Sequence, residues 1–126
     1  MCILLTGCDG WRKKNFRKYT LENGTQHELK INFYINSVFV KTNSIIGKGT
    51  VSEGISNDGV GRAMSPYDAF TADSIVVIFD DIKRQIYTVK VVKNRNILVD
   101  LSYQVESDKL YRFTFTEEDY TTAEDL

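Results

Sequence analysis

The run Ser74-Ile75-Val76-Val77-Ile78-Phe79 stops at Asp80-Asp81. An apolar stretch of this length, rich in β-branched residues and closed by turn formers, reads as a central strand covered on both sides. Working outward, Leu29, Ile31, Phe33 and Ile35 alternate with Lys30, Asn32 and Tyr34, the two-residue period of a half-buried strand. Val38-Phe39-Val40 offers a shorter strand, and Ile45, Ile46 and Val51 a weak one interrupted by Gly47 and Gly49. Beyond the central run, Tyr87, Val89 and Val91 share one parity, as do Ile97, Val99, Leu101 and Tyr103, and then Tyr111, Phe113 and Phe115. Thr116-Glu117-Glu118-Asp119 has the form of a capping box, which predicts a short helix over 117–123. About seven short strands joined by tight turns predict an all-β fold, an antiparallel β-sandwich of Ig-like or Greek-key type, with a closed barrel as the alternative.

Length and composition narrow the classes. A chain of 126 residues is one domain's worth, and 42% apolar residues with seven Tyr, seven Phe and one Trp are enough for a core. Sixteen basic against 17 acidic residues disfavour nucleic-acid binding by bulk charge. No stretch approaches the roughly 20 apolar residues of a membrane-spanning helix. The two cysteines, Cys2 and Cys8, both lie at the N-terminus, which excludes a disulfide framework or a zinc ribbon across the domain.

The expected division is a terminal segment over 1–8, a basic linker or tether over 9–25 and the β-sandwich over 26–126. Asp9-Gly10 is a turn signal, and Arg12-Lys13-Lys14 with Arg17-Lys18 lacks strand alternation. The stretch Ser52–Asp73, with Gly54, Gly59, Gly61, Asn57-Asp58 and Ser65-Pro66, reads as one long loop. Loops of that length are often functional, so Asp58, Arg62, Tyr67, Asp68 and Phe70 are its candidate binding residues.

Catalytic patterns are sparse. His27 is the single histidine, and no Gly-x-Ser-x-Gly elbow accompanies it; an edge position fits it better than a triad. Asp73 and Asp80 flank one strand, about 23 Å apart at strand rise, too far to act as a glycosidase pair. Asp58, Asp68 and Asp73 could converge only if the long loop folds back, and they lack the spacing of a calcium loop. Gly47-x-Gly49 and Gly59-x-Gly61 lack the strand, helix and Gly-Lys-Ser/Thr context of a phosphate loop. Tyr34, Tyr67, Phe70 and Trp11 are the aromatics not claimed by core parity. The reading is a non-enzyme without cofactor or metal.

Residues Leu5-Thr6-Gly7-Cys8 resemble the lipobox of bacterial lipoprotein precursors. The resemblance implies that Cys8 is the lipidated first residue of the mature protein, with residues 1–7 removed; a thiol is the nucleophile that forms a thioether to diacylglycerol. A full signal carries a basic segment and about 7–15 apolar residues. Seven residues precede Cys8, none of them basic, so the lipobox reading places the true start upstream of Met1; with Met1 as the start, export fails and the domain is cytosolic. Two strings, 72–81 and 115–120, also resemble small uncharacterised envelope lipoproteins of Bacteroidetes-type bacteria. That resemblance implies an envelope location and no activity. Surface-exported members carry acidic residues after the cysteine, and only Asp9 is acidic here, which favours the periplasmic face. The expected function is a membrane-anchored binding or structural module, contacting the membrane through Cys8 and taking a protein or glycan ligand. An inhibitor or immunity-type lipoprotein acting through the 52–73 loop is the second reading, and a carboxylate-dependent hydrolase the third.

Overall fold

The computed structural model describes residues 16–49, 51–57, 64–90 and 95–126. Among these the chain forms two β-sheets, as the alternation predicts. One has four strands in the order β4-β1-β8-β7 and the other five in the order β3-β2-β5-β6-β9. The strands are β1 (Phe16–Asn23), β2 (Leu29–Ile35), β3 (Val38–Ile45), β4 (Val51–Asn57), β5 (Ser74–Phe79), β6 (Lys83–Thr88), β7 (Gln104–Val105), β8 (Leu110–Phe115) and β9 (Glu124–Asp125). Two short helices join them, α1 (Pro66–Phe70) and α2 (Glu117–Thr121).

The central run is a central strand, as read: β5 lies between β2 and β6, antiparallel to both. It is not covered on both sides, contrary to what the continuous apolar run suggests. Ile75, Val77 and Phe79 are buried, while Val76 and Ile78 on the other face are half-buried. Leu29, Ile31 and Phe33 of β2 and Tyr87 of β6 complete the inward face. From the other sheet Tyr19, Leu21, Phe113 and Phe115 meet them. Contact between the layers is aromatic: Phe113 of β8 stands edge-on to Tyr87 of β6, ring centroids 6.4 Å apart. Such edge-to-face pairs satisfy the ring quadrupoles while filling volume.

Four further expectations need correction. The linker assigned to 9–25 overlaps β1, which pairs with both β4 and β8 and buries Tyr19 and Leu21 completely. Lys18 and Thr20 point to the other face, and the basic residues at 17 and 18 mask the alternation. The β1–β8 pairing is parallel, so the four-stranded sheet is mixed rather than antiparallel throughout. No local turn signal announces a parallel neighbour some 90 residues along the chain. The third correction is Ile97–Tyr103, which forms no strand. A 3₁₀ turn occupies Asp100–Ser102, and Leu101 is 95% exposed. Asn96 organises that segment: its side chain accepts from Leu98 N (2.9 Å) and donates to Thr88 O (3.0 Å). Side-chain bonds of this kind compete with a ladder.

The stretch 52–73 is also more regular than a loop. Its first part is β4, and its last part is α1, capped by Ser65, whose hydroxyl accepts from Asp68 N at 3.1 Å, with Pro66 at the first turn. Phe70 at the end of α1 stacks on Phe33, centroids 5.5 Å apart, and lies over Gly54 of β4. A Cβ on Gly54 would stand 2.7 Å from the Phe70 ring, so glycine is what lets the helix close the gap between the sheets. The C-terminal capping box is present as read: Thr116 Oγ1 accepts from Asp119 N, and the Asp119 carboxylate accepts from Thr116 N at 2.8 Å.

Candidate functional site

The candidate binding residues of 52–73 separate into two groups. Asp58 and Arg62, like Cys8 and Trp11, lie outside the described residues. Of the others, Asp68 accepts from Ser56 Oγ at 2.8 Å, tying α1 to β4. Phe70 is buried at 2% exposure, and only Tyr67 is open, at 43%. Asp73 accepts from Asn36 N at 3.1 Å, bracing the β2–β3 turn. Asp68 and Asp73 thus hold the fold, and Phe70 fills it.

What the structure does assemble is an open face on the five-stranded sheet. Register places Thr42, Asn32, Val76 and Ile86 in one row across β3, β2, β5 and β6. The next rows hold Phe39, Tyr34, Ser74 and Thr88 on one side, and Ser44, Lys30, Ile78 and Arg84 on the other. Phe39 is 54% exposed and stands edge-on to Tyr34, centroids 5.8 Å apart. Val38 and Val40 flank it, both exposed. At the far rim Lys30 pairs with Asp81 at 2.9 Å and Arg84 with Glu124 at 2.8 Å, which neutralises charge around an apolar centre. The β2–β3 hairpin that carries Phe39 turns through Asn36 and Ser37, both at positive φ (50° and 67°), the geometry of a tight two-residue turn. β3 is an edge strand, and its ladder with β2 is irregular between Phe33 and Tyr34. Lys41 lies on the core parity with its ammonium 5.2 Å from the Phe33 ring centre. A bulge and a charge on the core parity both disfavour addition of a further strand at the β3 edge.

A polar cluster lies where the β1–β2 turn meets α2. His27 Nδ1 is 2.5 Å from Asp80 Oδ2, and Nε2 is 3.0 Å from Glu117 Oε1. The ring stacks on Tyr120 at 3.7 Å and 12°. Each carboxylate also accepts a backbone N–H at 2.8 Å, Asp80 from Glu28 and Glu117 from Gln26. Partial burial works against the charged imidazole, but bonds to Asp80 and Glu117 outweigh it and hold its pKa above the ordinary histidine value. Asp80 is held below its usual range, first by the bond with His27 and then by Glu28 N–H. Glu117 is likewise lowered, first by Gln26 N–H. Both ring nitrogens are engaged by carboxylates, which leaves neither as a base for a nucleophile.

A second cluster, Arg17, Tyr19 and Asp100, links β1 to the 3₁₀ turn. Tyr19 donates to Asp100 at 2.7 Å and Arg17 pairs with the same carboxylate at 3.0 Å. Burial drives the Tyr19 hydroxyl pKa well up, so it remains a neutral donor. Sequence reasoning missed both clusters because their members are far apart in the chain. The Thr116–Asp119 capping box was the one signal that fixed Glu117 at the start of a helix.

No family, curated protein or solved structure matches this chain.

Proposed function

We propose that the chain is a non-catalytic binding module of the bacterial cell envelope, carried on a lipid at Cys8, that takes a partner protein on the outer face of its five-stranded sheet. The observation that supports the docking face is the outward run of exposed Ile86 beside half-buried Val76 and Ile78, with exposed Phe39 beside half-buried Tyr34 toward the β3 edge. Exposed apolar groups with a polar rim are a common mark of a protein contact. Branched aliphatic side chains favour a protein over a glycan, because they offer burial but no partner for sugar hydroxyls. The lipobox resemblance at Leu5-Thr6-Gly7-Cys8 supports the anchor, and among the described residues no helix is long and apolar enough to cross a membrane.

Two measurements test the reading. Palmitate fed to cells expressing the full gene should label the protein, and Cys8→Ala should abolish the label; an unlabelled wild type overturns the anchor. A photo-crosslinking residue placed at Phe39 should give a discrete protein adduct in cells, lost on Ile86→Glu. The same residue at Gln104, exposed on β7 of the other sheet, should give none. Equal adducts at both positions, or none at either, overturn the docking face; adducts to glycan alone replace the partner class.

A further inference from the structure

The cluster around His27 fastens the last ten residues of the chain to two turns that are distant in sequence. Its geometry states its protonation. A carboxylate at neutral pH only accepts hydrogen bonds, and His27 faces one at each ring nitrogen. Two acceptors require two donors, and only the imidazolium supplies both. When the second proton leaves, one nitrogen presents a lone pair to a carboxylate, and that contact turns repulsive.

What hangs on those contacts is a C-terminal strap. Glu117 begins α2, and α2 leads directly into β9, which covers the edge of β6 through Lys83–Asp125 and Arg84–Glu124 pairing. The strand closes with Leu126 N–H donating to Ile82 O at 3.1 Å. The other end of the clasp, Asp80, sits with Asp81 in a turn in which both residues have positive φ (53° and 61°), a conformation that aspartate adopts at a cost. The Asp80 carboxylate pins this turn to Glu28 N and to His27.

We propose that His27 is a proton-operated clasp: protonated, it holds the α2–β9 strap onto the β1–β2 and β5–β6 turns, and on losing its proton it slackens the strap and loosens β9 from the β6 edge. The charged and titratable groups around it act in the same direction or are engaged elsewhere. Asp80 and Glu117 face the ring directly, and Tyr120 of α2 stacks on it. The Lys83 ammonium of β6 lies over the Tyr120 ring, 4.7 Å from its centre. Asp81 is paired with Lys30 of β2, and Lys48 lowers the pKa of Glu117. Glu28, just before β2, contributes its backbone N–H to Asp80. Asp119 on α2 is engaged with Arg95 and the helix cap. The exposed Glu118 of α2 accepts from Thr122 through its backbone carbonyl.

The test is NMR of the full chain from about pH 5 to about pH 9, spanning the ordinary histidine titration. The His27 ring resonances are followed together with amide exchange at Glu124 and Leu126, whose N–H groups face β6, corrected for the intrinsic pH dependence of exchange. His27 should titrate above 6.5, and strap protection should fall about fivefold through the same step, the size of an exposed ion pair. Amides of Tyr19 and Leu21 in β1 should not follow it. In His27→Gln the strap should sit at the low protection level with no step. Glu117→Gln, which keeps the His27–Asp80 contact, should lower the His27 midpoint and shrink the step. Strap protection that stays constant while His27 titrates, or a step that persists in His27→Gln, overturns the clasp. None of these readouts depends on a partner or a lipid, so the clasp and the docking face stand or fall separately.

Discussion

On the outer face of the four-stranded sheet, Lys18 pairs with Glu53 at 3.1 Å, and Arg112 reaches both Glu106 at 2.8 Å and Glu22 at 3.4 Å. Ile55 and Leu110 also lie on that face, but Lys18 stands between them in the register. On the outer face of the five-stranded sheet the equivalent central positions hold Val76, Ile78 and Ile86, with Tyr34 and Phe39 alongside, and the ion pairs are displaced to the rim. Both faces come from strands with the same two-residue period, and both back onto one core. A sheet needs one apolar face to pack; interleaved charges on the second face keep it in water, while clustered apolar groups mark it for contact.

The sharpest way to break that comparison is to truncate the same residue type on either side of the five-stranded sheet. Ile75→Ala removes a fully buried side chain and should cost about 2–5 kcal/mol in urea denaturation, from lost transfer energy plus a cavity. Ile86→Ala, on the open face, should cost less than about 1 kcal/mol. Equal costs would mean that the outer face is as tightly packed as the core. Next in size is Gly54→Ala. The added methyl meets Phe70, whose ring is itself packed on Phe33, so the helix must shift; about 1–3 kcal/mol is expected, read as a lower urea midpoint at unchanged slope. A cost near zero would show that α1 moves freely over β4. Smaller again is the effect of Phe39→Ser combined with Ile86→Ser. Dye binding and self-association at high concentration should fall while the urea midpoint stays within about 0.5 kcal/mol of wild type. Unchanged dye binding would locate the sticky surface elsewhere.

These positions also show what the chain betrays of its fold. β2 and β8 were legible because their inward residues alternate without interruption, β5 because it is an unbroken apolar run closed by Asp80-Asp81, and α2 because Thr116 and Asp119 stand at capping distance. β1 was hidden for an electrostatic reason. Arg17 has the inward parity of Tyr19 and Leu21, and it is tolerated there because Asp100 supplies a carboxylate and the Tyr111 ring lies 4.9 Å from the guanidinium. Both partners are far away in sequence, and without them a strand with a basic inward residue reads as a tether. The 52–73 stretch misled in the opposite way. Its glycines and its Ser-Pro looked like loop punctuation, yet Gly54 is a packing residue and Ser65-Pro66 is a helix start. The open face was visible only in part: Tyr34 stood out as unclaimed, but the sequence alone does not say which outward rows are neighbours. Register supplies that, and register is set by pairing over long separations.

The smallest expected effect concerns stability against pH, and its sign follows from the His27 cluster. The His27 pKa is raised in the folded chain, so its contribution is complete below about 6.5, its ordinary value, and is lost as pH rises through the higher folded value. Asp80 and Glu117 are lowered, so their contributions are complete above their ordinary values of 3.8 and 4.5. They are lost as pH falls through the depressed folded values. The cluster therefore stabilises most between those carboxylate values and 6.5, with a decline on each side. All three side chains reach solvent, at 19% exposure for His27, 37% for Asp80 and 54% for Glu117, so the plateau should be shallow and should flatten in high salt. Thermal midpoints measured across pH should show His27→Gln losing the decline on the alkaline side, while Asp80→Asn should reduce the decline on the acid side. The outer face of the five-stranded sheet carries its charges as the rim pairs Lys30–Asp81 and Arg84–Glu124, apart from this cluster. Any midpoint change in that window that survives His27→Gln would therefore have to arise outside the clasp, and would show that the cluster is not the molecule's main sensor of mild acid.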